Sequence, residues 1–145
     1  IDPGLTRTAA SWIENGEPQT FAVSAPADGT IQARCEHILD FLVDKLIGGW
    51  TVYMEMPTAR GSARGASVSP EVLKLGILVG YLTRGLIGEG FDVVLITPNR
   101  WKGSTPKEVT KQRVLRKWPE LGLSIRSNDE YDSLGILLWA SKHGK

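Results

Sequence analysis

The chain has 145 residues, of which 41% are hydrophobic and 23% are charged, and its net charge is +1. This composition excludes a disordered chain, a collagen-like repeat and a disulfide scaffold, and it indicates one domain spanning residues 1–145. The single cysteine, Cys35, excludes an internal disulfide and a cysteine-built zinc site, so a reducing compartment is expected. No signal peptide is visible, and the apolar stretch 72–86 is short and interrupted by charge, so we expect a cytoplasmic protein without a membrane span.

Strands and helices alternate along most of the sequence. Asn15-Gly16 is typical of a two-residue hairpin turn, and Ser69-Pro70 is typical of a helix start. The continuous apolar run 92–97 indicates a central parallel strand. From residue 30 onward the pattern predicts an α/β sheet, preceded by an antiparallel hairpin. In chain order we predict strands at 8–13 and 19–25, a helix at 31–46, a strand at 51–56, a loop at 57–67, a helix at 70–87, a strand at 92–97, a basic helix at 105–118 and a final helix at 128–141.

Charge is sorted along the C-terminal half of the chain. Residues 98–118 carry one acid, Glu108, against seven basic residues: Arg100, Lys102, Lys107, Lys111, Arg113, Arg116 and Lys117. Residues 120–132 carry four acids against Arg126: Glu120, Asp129, Glu130 and Asp132. A basic segment beside an acidic one suits a nuclease, because lysine and arginine neutralise phosphates while carboxylates hold metal. The alternative for the basic segment is a solvated helix face.

Four acids stand at unusual positions. Asp2 lies at the end of a first strand whose beginning is absent, which indicates a trimmed version of a longer chain. Glu55 lies inside the apolar strand 51–56, and Asp129 and Asp132 share one face of the final helix. Taken singly, Asp2 is also explained as a turn residue, Glu55 as part of a solvated edge strand, and Asp129 as a helix-dipole acid. Taken together, converging carboxylates need cations, and two Mg²⁺ or Mn²⁺ ions would suit them for phosphodiester hydrolysis.

The order of these residues resembles the RuvC family of Holliday-junction resolvases, within the RNase H-like superfamily. The resemblance rests, in chain order, on Ile1-Asp2-Pro3-Gly4-Leu5 with Thr8, on Glu55 in a strand, on Lys74-Leu75-Gly76 in a helix, and on Asp129-Glu130-Tyr131-Asp132-Ser133-Leu134. It implies an RNase H-like α/β fold with a mixed five-stranded sheet, in which an antiparallel hairpin joins parallel strands and helices flank the sheet. It also implies a homodimer that makes paired, Mg²⁺-dependent nicks in four-way DNA junctions, with no small-molecule cofactor and no membrane partner. A cellular member would act at the nucleoid. Small standalone resolvases also occur in bacteriophages, so a phage origin, with action in the host cytoplasm, stays open.

The resemblance further implies roles for individual residues. The catalytic acids would be Asp2, Glu55, Asp129 and Asp132, holding two Mg²⁺ ions per site, with Mn²⁺ as a substitute. Lys111 would be a further catalytic residue, and Lys102 would lie near the scissile phosphate. The residues expected to contact DNA are Arg60, Arg64, Lys74, Arg100, Lys102, Lys107 and Arg113. One departure is that the aromatic residue which the family has after the strand glutamate is absent from Pro57-Thr58-Ala59, and Arg60 and Arg64 stand on the loop instead.

Three other functions stay open on the sequence. Another RNase H-like nuclease, acting on RNA–DNA hybrids or on ribosomal RNA precursors, would have much the same sheet and acids. A branched-DNA-binding module that has lost cleavage would keep the fold, although the presence of all four acids argues against it. The Asp-x-Gly-x-x-x-Thr start is also similar to the phosphate loop of actin-like sugar kinases, which need two such domains and hence more than 145 residues.

Two further features have two interpretations each. Trp101, between Arg100 and Lys102, would stack on an unpaired base or would close the end of the sheet. Gly76 and Gly80, four residues apart in an apolar helix, would let another backbone approach closely. That backbone would belong either to a partner subunit or to the sheet.

Overall fold

A computed structural model describes residues 1–58, 68–125 and 127–144 of the chain. The strands are β1 (Arg7–Glu14), β2 (Glu17–Ser24), β3 (Thr51–Glu55) and β4 (Asp92–Ile96). The helices are α1 (Ile31–Lys45), α2 (Pro70–Gly88), α3 (Pro98–Trp101), α4 (Lys107–Lys117) and α5 (Asn128–His143), with a 3-10 helix at Pro119–Leu123. Arg60 and Arg64, which we expect at the DNA, lie outside the described residues.

The hairpin of β1 and β2 is set by its two-residue turn. Glu14 pairs with Glu17, which leaves Asn15 and Gly16 between the strands. The φ angles of these two residues are 51° and 86°. Positive φ at both central positions is the geometry of a type I′ turn, whose twist matches that of the flanking strands. The hairpin predicted from Asn15-Gly16 is therefore confirmed.

Residues 1–2 join the hairpin to the parallel strands. Asp2 and Ala9 exchange backbone hydrogen bonds of 2.9 and 3.0 Å, so the segment runs antiparallel to β1. On its other side the backbone N–H of Glu55 donates to the carbonyl of Ile1 at 3.0 Å. β3 then pairs in parallel with β4 along its whole length. The strands lie side by side in the order β2, β1, residues 1–2, β3 and β4. This is the predicted mixed arrangement of five strands, in which residues 1–2 occupy the central position between β1 and β3.

β4 is an edge strand, whereas the apolar run 92–97 predicted a central one. Among the residues that the structure describes, β4 pairs only with β3, and Leu95 is 38% exposed. The run is apolar because both of its faces are partly covered. Val93 packs into the core under α1 and α2, while Val94 packs on the other side with Ile96. Whether the faces of a strand are covered and whether its edges are paired are separate properties. An apolar run in the sequence indicates only that the faces are covered.

Helices lie on both faces of the sheet. α1 and α2 cover one face, where they pack against Val52 and Met54 of β3. Each of these helices begins at a side-chain hydroxyl that accepts a backbone hydrogen bond: Thr30 accepts from the N–H of Ala33 in α1, and Ser69 accepts from the N–H of Val72 in α2. α5 crosses the opposite face, in contact with β1, β2 and β3, and α4 packs against α5. Within residues 1–58, 68–125 and 127–144, none of the helices has the length and apolar character needed to cross a membrane.

Candidate active site

Four carboxylates come from elements that begin or end at the same end of the sheet, where β3 ends. Glu55 is the last residue of β3, and Asp2 lies on the backbone segment beside it. Asp129 and Asp132 stand in the first turns of α5, which begins after its N-cap Ser127. Asp2 is close enough to the other three acids for their charges to act on it. The structure therefore brings together the four acids that the sequence singled out.

The pKa of Asp2 reflects both its burial and the neighbouring carboxylates. Burial, which has the largest effect, and the charges of Glu55, Asp132 and Asp129 together raise the pKa of Asp2 from 3.8 to about 7. The amino group of Ile1 acts in the opposite direction. At neutral pH Asp2 is therefore only partly ionised, and a cation bound among the acids would favour its charged form.

Lys102 lies between acids from two different elements. Its Nζ is 3.7 Å from Oε2 of Glu55 and 3.9 Å from Oδ2 of Asp132. Its side chain is 21% exposed, and that of Asp132 is 9% exposed, so the pairs are largely shielded from water. Lys102 thus offsets part of the carboxylate charge in the absence of a metal.

The lysines of α4 stand at increasing distance from the acids. Lys107 Nζ is 3.5 Å from Oδ2 of Asp132. Lys111, one turn further along α4, instead places its Nζ 5.1 Å from the ring centre of Tyr131. Lys102 and Lys107 therefore lie beside the carboxylates, and Lys111 lies at the margin of the site.

Trp101 holds Glu55 by a hydrogen bond. Its Nε1–H donates to Oε2 of Glu55 at 2.5 Å. The residue is 8% exposed and packs with Ile96 and Ile136, while the Nζ of Lys102 lies 4.6 Å from its ring centre. A ring packed in this way offers little surface on which a nucleic-acid base could stack. Of the two interpretations of Trp101, the structure favours the one in which it closes the end of the sheet.

Two contacts that organise the site were not predicted from the sequence. One is the bond from Trp101 to Glu55, for which the only signal was a tryptophan soon after a strand end. The other is Arg7, at the start of β1, whose guanidinium lies 3.9 Å from Asp129 and 3.7 Å from Glu130. Arg7 ties the first turn of α5 to the hairpin, and no spacing in the sequence points to this long-range pairing.

Comparison with solved structures identifies the fold. Thermus thermophilus RuvC matches with a TM-score of 0.66 at 19% identity, covering 99% of this chain and 94% of that one. T. thermophilus RuvC in complex with Holliday junction substrate matches with a TM-score of 0.68 at 18% identity, over 99% of this chain and 93% of that one. The chain has the RuvC fold. The predicted RNase H-like fold class is thereby confirmed, although no family model and no curated protein matches the chain.

The acids of this RuvC-fold site suit a hard divalent cation by their chemistry. Asp2, Glu55, Asp129 and Asp132 offer carboxylate oxygens, which Mg²⁺ and Mn²⁺ prefer as ligands. Burial and the repulsion among these carboxylates both raise the pKa of Asp2, and a bound cation relieves the repulsion. In the described part of the chain no three ligand-type side chains are arranged to enclose an ion, and Lys102 lies between Glu55 and Asp132. The acids would therefore have to turn away from Lys102 toward an ion as it binds.

The structure describes three further residues that are expected at the DNA, namely Arg100, Arg113 and Lys74. Arg100, in α3, has its guanidinium 5.7 Å from the ring centre of Trp139, and Arg113 is exposed on α4. Lys74 is exposed near the start of α2. Because α2 connects the parallel strands β3 and β4, its first turns lie at the carboxyl end of these strands, where the acids are. The contacts of these residues with DNA stay predictions.

Proposed function

We propose that this protein is a metal-dependent endonuclease that makes paired nicks in four-way DNA junctions and acts in the cytoplasm. The observation that carries the proposal is the convergence of Asp2, Glu55, Asp129 and Asp132 at one edge of a RuvC fold. One of the two RuvC structures with this fold is in complex with a Holliday junction substrate, which supports branched DNA as the substrate class.

Each group of side chains at the site then has a distinct task. The four acids would hold two Mg²⁺ ions, with Mn²⁺ as a substitute, and such ions would supply an activated water and stabilise the leaving oxygen. Trp101 keeps the carboxylate of Glu55 in place through its hydrogen bond. Lys102 provides positive charge to the phosphate once the acids turn toward the ions, and Lys107 and Lys111 add to that charge.

Four basic residues of α3 and α4 bind the DNA backbone: Arg100, Lys107, Lys111 and Arg113. Lys107, Lys111 and Arg113 follow one another along α4, and Arg100 lies on the adjoining α3. Contacts of lysine and arginine with phosphates position the DNA without reading its sequence. Affinity for the junction should therefore fall steeply as salt concentration rises.

A homodimer formed through α2 would present two sites to a junction with two-fold symmetry. One face of α2 is apolar and exposed: Leu73 is 57% exposed, Ile77 53% and Ile87 50%. Gly76 and Gly80 lie on that face, and a Cβ at either position would meet no described atom within 4 Å. A second helix can therefore approach the backbone of α2 closely, and we assign both glycines to the contact between subunits.

The experiment that tests the proposal compares three substrates. The protein is incubated with an immobile four-way DNA junction, with linear duplex and with an RNA–DNA hybrid, each in Mg²⁺ and in EDTA. We expect symmetric nicks in the junction alone, in Mg²⁺ alone. Cutting of the hybrid instead would assign the protein to RNase H-type nucleases, and tight junction binding without cutting in any metal would make it a non-cleaving module.

A matched pair of variants ties any cleavage to the carboxylates. Asp132→Asn removes a charge from the site, whereas Asp28→Asn makes the same change on an exposed loop. We expect the first variant to bind the junction without cutting it and the second to cut like the unmodified protein. Cleavage by Asp132→Asn at the normal rate would contradict the assignment of the acids.

A further inference from the structure

A cavity adjoins the carboxylate site. It has a volume of about 280 Å³ and lies between α3, α4 and the C-terminal half of α5. Trp101 and Trp139 form its apolar walls, and Lys102, Arg113, Lys142 and His143 supply its polar lining. Because Lys102 also contacts Glu55 and Asp132, this cleft and the carboxylate site share a wall.

The cleft has an excess of positive charge. No carboxylate is among its lining residues in the described chain. Lys102 is paired with acids of the neighbouring site, but Arg113 and Lys142 make no ion pair within the part of the chain that the structure describes. Lys142 and His143 near the end of α5 can be explained by the helix dipole. That explanation does not cover Arg113, which reaches the same cavity from another helix.

One wall of the cleft is ordered by ring contacts. The ring of His143 stacks on that of Trp139 with centroids 5.1 Å apart and planes 15° apart. The guanidinium of Arg100 lies 5.7 Å from the same tryptophan ring. These contacts hold the ring of His143 and, beside the cavity, the guanidinium of Arg100, which lowers the entropy lost when an anion binds there.

We infer that this cleft binds a backbone phosphate of the DNA strand, close to the phosphodiester held at the carboxylates. The inference rests on the proposed function and names a subsite for it. Lys102 is common to the two sites, so a strand that places one phosphate at the acids passes directly into the cleft. Arg113 and Lys142 then bind the second phosphate, and Trp139 packs against its sugar. The cleft thus fixes the position of the strand along the site.

The test removes the two unpaired cations of the cleft. The variant Arg113→Gln/Lys142→Gln is compared with Arg116→Gln/Lys117→Gln, which removes the same charge from exposed positions of α4 outside the cleft lining. Binding of a labelled four-way junction and of labelled single-stranded DNA is measured by fluorescence anisotropy across salt concentrations, in Ca²⁺ to prevent cleavage. We expect the cleft variant to bind the junction roughly tenfold more weakly than the control pair, with a salt slope smaller by about 1. Equal melting temperatures of the two variants would exclude a folding defect.

A second measurement locates the phosphate. Single phosphates of the junction near the cleavage position are replaced in turn by neutral methylphosphonates. At one position the replacement should weaken binding of the unmodified protein while leaving binding of Arg113→Gln/Lys142→Gln unchanged, because the partner side chains are already absent. The same loss in both proteins at every position would overturn the inference.

The outcomes separate this inference from the proposed function. If the unmodified protein cuts junctions and the cleft variant binds them like the control pair, the cleft inference is wrong and the proposed function stands. If the unmodified protein neither cuts nor prefers junctions, yet the cleft variant alone loses affinity for single-stranded DNA, the phosphate site stands and the proposed function is wrong.

Discussion

Replacing Trp101 by phenylalanine would remove a hydrogen bond from Glu55 and keep an aromatic ring in the same place. That bond is 2.5 Å long, and the tryptophan is 8% exposed. A hydrogen bond to a charged group contributes about 1.5–3 kcal/mol. Loss of a partner that orients a metal ligand lowers metal affinity or activity by roughly 10–100-fold. We therefore expect Trp101→Phe to cut a junction 10–100-fold more slowly at limiting Mg²⁺, with partial recovery at high Mg²⁺.

The assay is the single-turnover cleavage rate of a labelled junction, measured over a range of Mg²⁺ concentrations. The matched control is Trp118→Phe, because Trp118 is also 8% exposed but packs with Val114 and Leu134 between α4 and α5. Both variants lose similar packing, and Trp101→Phe also loses the hydrogen bond, so its free energy of unfolding should fall by about 1.5–3 kcal/mol more than that of Trp118→Phe. Equal cleavage rates of the two variants at every Mg²⁺ concentration would refute the role given to the hydrogen bond.

Three further predictions concern charge, pH and assembly. Asp132→Asn should lower the cleavage rate by about three orders of magnitude, since a ligand of the bound cations is lost, and gel-shift assays should show junction binding retained. In EDTA the free energy of unfolding of the unmodified protein should fall, relative to that of Asp2→Asn, as pH rises from about 4 to about 7. The reason is that Asp2 keeps its proton in the folded protein up to a pKa of about 7, whereas the unfolded side chain ionises near 3.8. The fall is at most about 1.4 kcal/mol per pH unit, and urea unfolding of both proteins would measure it; parallel pH profiles would contradict the pKa assigned to Asp2. Ile77→Glu should sediment as a monomer while Ile47→Glu sediments as a dimer, although both isoleucines are more than half exposed, at 53% and 58%; a dimer in both cases would place the interface elsewhere than α2.

The sequence predicted the parts of the fold that depend on local chemistry. Asn15-Gly16 has the backbone freedom that a type I′ turn requires, and the turn is where it was expected. Ser69 caps α2 and Pro70 occupies its first turn, as their side chains favour. The acids could be chosen because Glu55 was costly to bury without a partner. Their convergence was predicted because the acids lie at or near the ends of the strands and of the helix that carry them.

The features that could not be predicted from the sequence depend on contacts between residues far apart in the chain. The position of β4 at the edge of the sheet is decided by which strands pair, and the apolar run 92–97 is the same in either case. The bond from Trp101 to Glu55 spans 46 residues. The choice of Lys107 rather than Lys111 as the lysine nearest Asp132 depends on how α4 packs on α5. No local pattern encodes these distances.

The most direct test of the central claim uses a supercoiled plasmid that extrudes a cruciform. Paired nicks across the junction at the cruciform base convert the plasmid to linear DNA, whereas single nicks give open circles. The account predicts linear DNA in Mg²⁺ and intact supercoiled plasmid in EDTA, with Asp132→Asn inactive in both. Open circles alone, or no change in Mg²⁺ or Mn²⁺, would contradict paired, metal-dependent cleavage by this protein.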